Sequence, residues 1–174
     1  YDYDVFFYTG GQVLSLTQDA DEFVNDYNCQ IQDGYVTWQR GGPGYSQEIW
    51  LYKDGQKKPL ARSPYGILET EPRTQGGQVA WLHLDPSVGV HQQVYFFDGE
   101  AVRPITSDRC YKSSVRIHSG QVVWAGRSGS MDTQEVFFYN GQQVRALTQN
   151  AFPDLAPQIS RGQVVWQGWD GQDY

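Results

Sequence analysis

Four apolar tetrads recur along the chain, and a turn that contains glycine follows each one. The tetrads occupy residues 5–8, 49–52, 94–97 and 136–139. Apolar residues at every position are typical of a strand that is covered on both faces. The turns contain Gly10-Gly11, Asp54-Gly55, Asp98-Gly99 and Asn140-Gly141. Since Asn-Gly and Asp-Gly supply the positive φ angles of two-residue hairpin turns, the pattern predicts four β-hairpins.

A second recurring pattern lies between the hairpins. One predicted strand ends at a recurring glycine, and the strand after it carries Val and Trp two positions apart, on one face. The glycines are Gly34, Gly77, Gly120 and Gly162, and the tryptophans are Trp38, Trp81, Trp124 and Trp166. The tryptophans are 43, 43 and 42 residues apart. The chain therefore contains four repeats, each of four short strands.

The residue types in two strands of the repeat predict where those strands lie. Pro59 and Pro104 fall in the strand after the hairpin turn, and proline cannot donate a ladder hydrogen bond, so this strand is expected at an outer edge. The strand before the recurring glycine has one apolar and one polar side, which suits an innermost strand along a water-filled channel. Its apolar side carries Ile31, Thr74, Ile117 and Ile159. Its polar side carries Gln30, Gln32, Arg73, Gln75, Arg116, His118, Gln158 and Ser160.

Four strands in about 43 residues match one blade of a β-propeller. The chain begins with the third and fourth strands of a blade and ends with the first and second. We therefore predict an all-β, four-bladed propeller, closed by pairing of its N- and C-terminal half-blades. It forms a single domain over residues 1–174, with repeats at 4–47, 48–92, 93–134 and 135–174. Half of an eight-bladed ring, or a fragment of a larger propeller, is the alternative.

Residues 157–171 read Pro-Gln-Ile-Ser-x-Gly-x-Val-Val-Trp-x-Gly-x-Asp-Gly, and Glu-Val-Phe-Phe-Tyr-Asn-Gly and Leu-Thr occur at 135–141 and 147–148. This pattern resembles the blades of TolB-type propellers and is similar to repeats of bacterial, particularly cyanobacterial, proteins. The resemblance implies an exported or cell-surface bacterial protein. The second repeat departs from it at Thr74 and Ala61. TolB-type propellers usually have more than four blades, which leaves open whether this chain closes alone, pairs with a second copy or belongs to a larger ring.

Composition and charge exclude several classes of function. The formal net charge is −7, from 20 acidic and 13 basic residues, so duplex nucleic acid is not an expected partner. No apolar run approaches the roughly 18 residues that cross a bilayer, so we expect no membrane insertion. We also expect no intact signal peptide, because no basic segment precedes a continuous apolar one.

The irregular loops on one face of the predicted propeller hold the first candidate site. Exposed aromatic side chains beside polar neighbours suit sugar stacking or a protein partner. The candidates are Tyr27, Tyr45, Tyr65, Tyr111, Phe152 and Trp169. Alternatively, several of them fill the top of the ring. The leading hypothesis is a non-catalytic scaffold that binds a protein or a carbohydrate through these loops.

Two other functions remain open. One is a structural half-propeller with no ligand of its own that self-associates, giving eight blades as a homodimer. The other is a hydrolase or lyase with carboxylates at the channel mouth. We expect binding in preference to catalysis, because the chain has no Gly-x-Ser-x-Gly, no phosphate-binding glycine loop and no His-Glu-x-x-His.

The predicted channel holds the second candidate site. Arg73 and Arg116 occupy the same position in neighbouring repeats, with His118 two residues after Arg116. A basic lining in an acidic protein suits a small anion or an acidic side chain. Alternatively, each arginine pairs with a carboxylate or a glutamine, or lies in channel water.

No organic cofactor is expected, and calcium is the metal candidate. Hard cations take carboxylate ligands, and ring closure would bring acidic residues of both termini together. These residues are Asp2, Asp4, Asp170 and Asp173. They lack the fixed spacing of a calcium loop. Cys29 and Cys110 fall in opposite blades of a four-bladed ring, so we expect two unpaired thiols.

Overall fold

Short antiparallel strands make up most of the described part of the chain. The computed structural model describes residues 3–18, 24–41, 46–89, 92–108, 110–127 and 133–172. The strands are β1 (Phe6–Thr9), β2 (Gln12–Ser15), β3 (Asp26–Gln32), β4 (Tyr35–Gly41), β5 (Gln47–Lys53), β6 (Gln56–Ala61), β7 (Leu68–Gln75), β8 (Gln78–Leu84), β9 (Gln92–Phe97), β10 (Val102–Pro104), β11 (Lys112–His118), β12 (Gln121–Arg127), β13 (Gln134–Tyr139), β14 (Val144–Ala146), β15 (Asp154–Ser160) and β16 (Gln163–Gly168). Within these ranges the only helix is a 3₁₀ turn, Pro86–Val88, so no described helix is long and apolar enough to cross a membrane.

The strands form three complete blades and two half-blades. The complete blades are β3–β6, β7–β10 and β11–β14, and in each one the strands lie in chain order. The prediction of an all-β propeller with four-stranded blades is confirmed. Pro59 and Pro104 lie in β6 and β10 at the outer edges of their sheets, where a missing N–H breaks no ladder.

The predicted pairing of the two terminal half-blades is wrong. In the described part of the chain, β1 pairs with β2 and β16 pairs with β15, and no ladder joins β1 to β16. The two half-blades pack on different complete blades: Val5 and Leu16 pack on Trp38 of one blade, whereas β15 lies against β11 and β12. Tyr8 and Val165 consequently remain 71% and 65% exposed. The chain is a partial propeller, in agreement with the alternative of a larger or associated ring.

Tryptophan fills the centre of each complete blade. Trp38, Trp81 and Trp124 are fully buried, whereas Trp166 of the open half-blade is 41% exposed. Each buried indole packs on an aromatic side chain of the third strand. These pairs are Trp38 with Trp50, Trp81 with Tyr95 and Trp124 with Phe137, with ring centroids 6.1, 5.8 and 5.9 Å apart. Burial and ring contact together explain why this residue recurs.

An acidic residue twelve positions before the tryptophan ties the first two strands of a blade together. The indole Nε1 of Trp38 donates to Asp26 at 2.9 Å, that of Trp81 to Glu69 at 2.7 Å and that of Trp166 to Asp154 at 3.0 Å. The third complete blade has Lys112 at this position. Its buried ammonium instead donates to Asp108 at 2.5 Å and to the Gln92 carbonyl at 2.9 Å. This recurring contact was not predicted from the sequence.

The recurring Leu-Thr pair has a similar structural role. The threonine hydroxyl at the end of a blade accepts the first N–H of that blade's apolar tetrad. These contacts join Val5 to Thr17, Val94 to Thr106 and Val136 to Thr148 at 2.8, 2.9 and 2.9 Å. Each buried N–H therefore has an acceptor, and the outer strand is held against the third strand.

A β-bulge interrupts the innermost strand of every blade at the same repeat position. The register shifts there in β3, β7, β11 and β15. The bulged residues have positive φ although none is glycine: Asn28 (52°), Glu71 (53°), Ser114 (58°) and Ala156 (50°). Bulges bend a strand and redirect the side chains after them. The residues that follow each bulge line the centre of the propeller.

Candidate functional site

The innermost strands of the three complete blades and of the C-terminal half-blade line one polar cavity. β3 lies beside β7, β7 beside β11 and β11 beside β15, and three consecutive residues of each strand line a space of about 410 Å³. The lining residues are Gln30, Ile31, Gln32, Arg73, Thr74, Gln75, Arg116, Ile117, His118, Gln158, Ile159 and Ser160. The polar members of this set are the residues predicted for the channel side, whereas the apolar positions were expected on the opposite side of the strands. The structure brings Arg73, Arg116 and His118 to one site.

The cavity is cationic. Two arginines and no carboxylate occur among its lining residues, although the whole chain carries a formal charge of −7. Burial lowers the pKa of the Arg73 guanidinium, and the nearby charge of Arg116 lowers that pKa further, while Glu71 opposes the shift. The two guanidinium groups therefore repel each other across the cavity.

Main-chain and amide acceptors hold the two arginines in place. Arg73 Nη1 donates to the Pro72 carbonyl at 2.9 Å. Arg116 Nη1 donates to the Val115 carbonyl at 2.8 Å, and its Nε donates to Gln158 Oε1 at 3.1 Å. No carboxylate in the described ranges forms an ion pair with either guanidinium. The sequence left open that each arginine pairs with a carboxylate or with a glutamine. Among the described residues, only Arg116 forms such a pair, with Gln158.

Hydrogen bonds between blades hold two further lining side chains, His118 and Gln75. His118 Nδ1 accepts the Arg161 N–H at 3.1 Å, which places the ring proton of a neutral imidazole on Nε2. Gln75 Oε1 accepts the N–H of Ser119 from the next blade. The cavity walls are therefore tied to one another and preorganised.

The described loop aromatics differ in exposure and in the contacts that they make. Tyr27 is half-buried, and its hydroxyl accepts hydrogen bonds from two glutamines; burial raises the pKa of this phenol. Tyr65 is 79% exposed, and Tyr111 lies under the Arg127 guanidinium, 6.0 Å from its ring centroid. Phe152 and Trp169 form the one described ring contact within this set, edge to face at 5.0 Å. Tyr45 lies outside the described residues.

Only two of the four carboxylates proposed as calcium ligands lie in the described residues. Asp4 Oδ1 accepts the Thr17 hydroxyl at 3.0 Å, and Asp170 Oδ1 accepts the Gln172 N–H at 3.0 Å. They belong to the two half-blades that do not pair, and Asp2 and Asp173 fall outside the described ranges. Among the residues described, no three histidine, cysteine or acidic side chains group to hold a metal ion. The calcium site stays a prediction.

A buried carboxylate outside the cavity collects three donors. Glu69, 3% exposed, accepts from Ser63 Oγ at 2.6 Å and His83 Nδ1 at 2.8 Å, in addition to the Trp81 indole. The hydrogen bond to Glu69 raises the pKa of His83. Ser63 donates to the carboxylate, and no described hydrogen bond joins it to His83, so the pair is not arranged as nucleophile and base.

Both cysteines, Cys29 and Cys110, are unpaired.

The fold matches solved propeller structures. The chain aligns with an acylaminoacyl peptidase in complex with Z-Gly-Gly-Phe-chloromethyl ketone at a TM-score of 0.61 and 14% identity, covering 92% of this chain and 27% of that one. It aligns with the β-propeller domain of the trilobed protease from Pyrococcus furiosus, which has an open velcro topology, at 0.62 and 10%, covering 92% and 55%. For a Mycobacterium tuberculosis puromycin-hydrolyzing peptidase the values are 0.57 and 16%, covering 84% and 26%.

These comparisons correct the hypothesis about function. The chain spans between 26% and 55% of the length of these structures. No family model and no curated protein matches the sequence. The expected non-catalytic scaffold, which would recognise a protein or a carbohydrate through its loops, is wrong, because the propellers that the fold matches belong to peptidases. At 10–16% identity the likeness establishes the fold: this chain is part of a β-propeller.

Proposed function

We propose that this chain is the propeller portion of a peptidase. The observation that carries the proposal is the fold match to peptidase propellers over 84–94% of the chain. The small share of each peptidase that the chain covers supports a protein in which this propeller is one part of a longer polypeptide. The TolB-like subtype, a bacterial origin and an exported or cell-surface location belong to the same proposal, supported by the motif of residues 157–171.

The proposal assigns peptide-bond cleavage to groups outside the described residues of this chain. Ser63 and His83 both bind Glu69 and do not contact each other through a described hydrogen bond. A serine nucleophile needs a base within hydrogen-bond reach of its hydroxyl. The propeller part would instead meet the peptide at its central cavity, where polar side chains from four blades converge.

Activity-based labelling of the native protein tests the proposal. An antibody raised against this chain would isolate the native polypeptide, which is then treated with a biotinylated derivative of Z-Gly-Gly-Phe-chloromethyl ketone. We expect one labelled polypeptide longer than 174 residues, together with hydrolysis of blocked di- and tripeptide p-nitroanilides. Pretreatment with the unlabelled ketone should remove both signals.

Immunodepletion is the matched control, because it should remove label and turnover in proportion to the polypeptide. A native protein that is recovered intact, but that neither reacts with the ketone nor cleaves any peptide of the panel, would overturn the proposal.

A further inference from the structure

The central cavity has the charge of an anion-binding site. Arg73 and Arg116 enter it from neighbouring blades, and no carboxylate is found among its lining residues. An anion between two cations in a partly desolvated site stabilises both of them, because the anion attracts each cation more strongly there than it would in bulk water. An anion would therefore relieve the repulsion that the two guanidinium groups now exert on each other.

Both arginines retain donors for such an anion. Main-chain carbonyls occupy Nη1 of each guanidinium, and Gln158 occupies Nε of Arg116. In the described part of the chain, Nη2 of both arginines and Nε of Arg73 have no acceptor. The guanidinium fork matches the two oxygens of a carboxylate, and such charge-assisted hydrogen bonds are roughly twice as strong as neutral ones.

The size and the walls of the cavity favour an organic anion over an inorganic ion. Its volume of about 410 Å³ lies in the range of roughly 300–1,000 Å³ that is typical of small-molecule sites. Ile31, Ile117 and Ile159 supply apolar surface between the polar groups. A ligand with an apolar body and one carboxylate satisfies both kinds of lining.

We propose that the central cavity binds the carboxylate of a short peptide, with Arg73 and Arg116 as its direct partners. The site itself rests on the cavity residues, and the choice of a peptide among organic carboxylates rests on the proposed function. The carboxylate comes from the C-terminus or from an acidic side chain, and the experiment separates these two sources.

Isothermal titration calorimetry of the 174-residue chain at low salt tests the proposal with three peptides. They are acetyl-Gly-Gly-Phe acid, its C-terminal amide, and acetyl-Gly-Asp-Phe amide. Binding of the first identifies a C-terminal carboxylate as the ligand, and binding of the third identifies an acidic side chain. We expect the neutral amide to bind at least about tenfold more weakly than the preferred acid, and added salt to weaken the acid more than the amide.

Arginine variants identify the contacts. Arg73→Gln and Arg116→Gln should each weaken the acid by about 10- to 100-fold, which is the value of one hydrogen bond to a charged group. Arg116→Lys, which keeps the charge and loses the fork, should give an intermediate affinity. Arg145→Gln is the matched control, because Arg145 is exposed on β14, the outer strand of the blade whose inner strand carries Arg116.

Several outcomes would overturn the proposal: equal binding of acid and amide, no binding of either, an equal loss in Arg145→Gln, or binding of inorganic phosphate or succinate with no peptide bound. The comparison of acid with amide uses the unaltered chain, so it holds even where a variant fails to fold. Z-Gly-Gly-Phe-chloromethyl ketone carries no carboxylate, so ketone labelling does not depend on the contact with the two arginines. A carboxylate-dependent complex without labelling would therefore refute the proposed function alone, and labelling without peptide binding would refute the site alone.

Discussion

The contact between tryptophan and carboxylate in each blade can be measured against a control that the repeat itself provides. Trp81 and Trp124 are both fully buried and both pack on an aromatic ring at nearly the same distance, 5.8 and 5.9 Å. The Trp81 indole donates to the buried Glu69 carboxylate at 2.7 Å. In the described ranges no such bond is found for Trp124, whose blade has Lys112 at the acidic position.

Phe in place of each tryptophan should therefore cost the two blades different amounts. Both substitutions remove similar volume from the core, so the packing loss is shared and cancels in the comparison. Only Trp81→Phe also removes a hydrogen bond to a charged acceptor, which is worth about 1.5–3 kcal/mol. Ser63 and His83 both donate to Oε1 of Glu69, so loss of the indole leaves the buried Oε2 without a described donor, and the upper half of this range is expected.

Urea unfolding followed by far-UV circular dichroism measures the difference, because the signal does not depend on the tryptophan removed. We expect Trp81→Phe to lower the free energy of unfolding by about 2–3 kcal/mol more than Trp124→Phe does. A double-mutant cycle with Glu69→Gln should recover the same energy as a coupling. If the two variants agree to within about 0.5 kcal/mol, the indole–carboxylate bond does not stabilise the blade and the reasoning is refuted.

Three further predictions concern pH, backbone and association. The raised pKa of His83 gives stability that is complete below the unfolded pKa of 6.5 and is lost as pH rises through the folded pKa. Urea midpoints should therefore fall across this pH window, and they should fall less in His83→Gln. Equal slopes of midpoint against pH in the two proteins would contradict the contact between His83 and Glu69. Gly77→Ala should lower the thermal unfolding temperature more than Gly55→Ala does. Both glycines have φ of +81°, but only an alanine methyl at position 77 would meet another side chain, the Tyr35 ring at 2.8 Å. Equal decreases in unfolding temperature would show that the Tyr35 ring moves aside freely. The homodimer hypothesis requires the open half-blades to join two copies, and Val165 is exposed on one of them. Val165→Lys should then shift the sedimentation of the protein from dimer to monomer, with the free energy of unfolding unchanged to about 0.5 kcal/mol. An unaltered chain that is monomeric at every concentration would contradict the hypothesis.

Features that the repeat encodes locally were predictable. The hairpin turns, the proline-bearing outer strands and the three buried tryptophans follow from residue type and spacing alone. The acidic residue before each tryptophan was present in the sequence at the same repeat position, and aligning the repeats on Trp38, Trp81 and Trp166 would have exposed it.

The bulges carried no such signal. The four bulged residues share a backbone conformation but no side-chain type: they are Asn28, Glu71, Ser114 and Ala156. A residue with positive φ is usually glycine, which makes such positions recognisable in a sequence. Here the inner strand is held between its partner strand and the neighbouring blades, and this packing imposes the conformation without a recognisable residue.

The amino-acid sequence by itself determined the repeat, the strands and the interior of each blade, because each of these depends on contacts within about 43 residues. Only the tertiary structure decided that the half-blades stay apart. An unpaired strand can form ladder hydrogen bonds with any exposed blade edge of the same pattern, so the sequence does not specify its partner. The tertiary structure also decided which chemistry meets at the centre. Arg73 and Arg116 are 43 residues apart in the chain, and the curvature of the row of blades brings them to one cavity whose lining residues include no carboxylate.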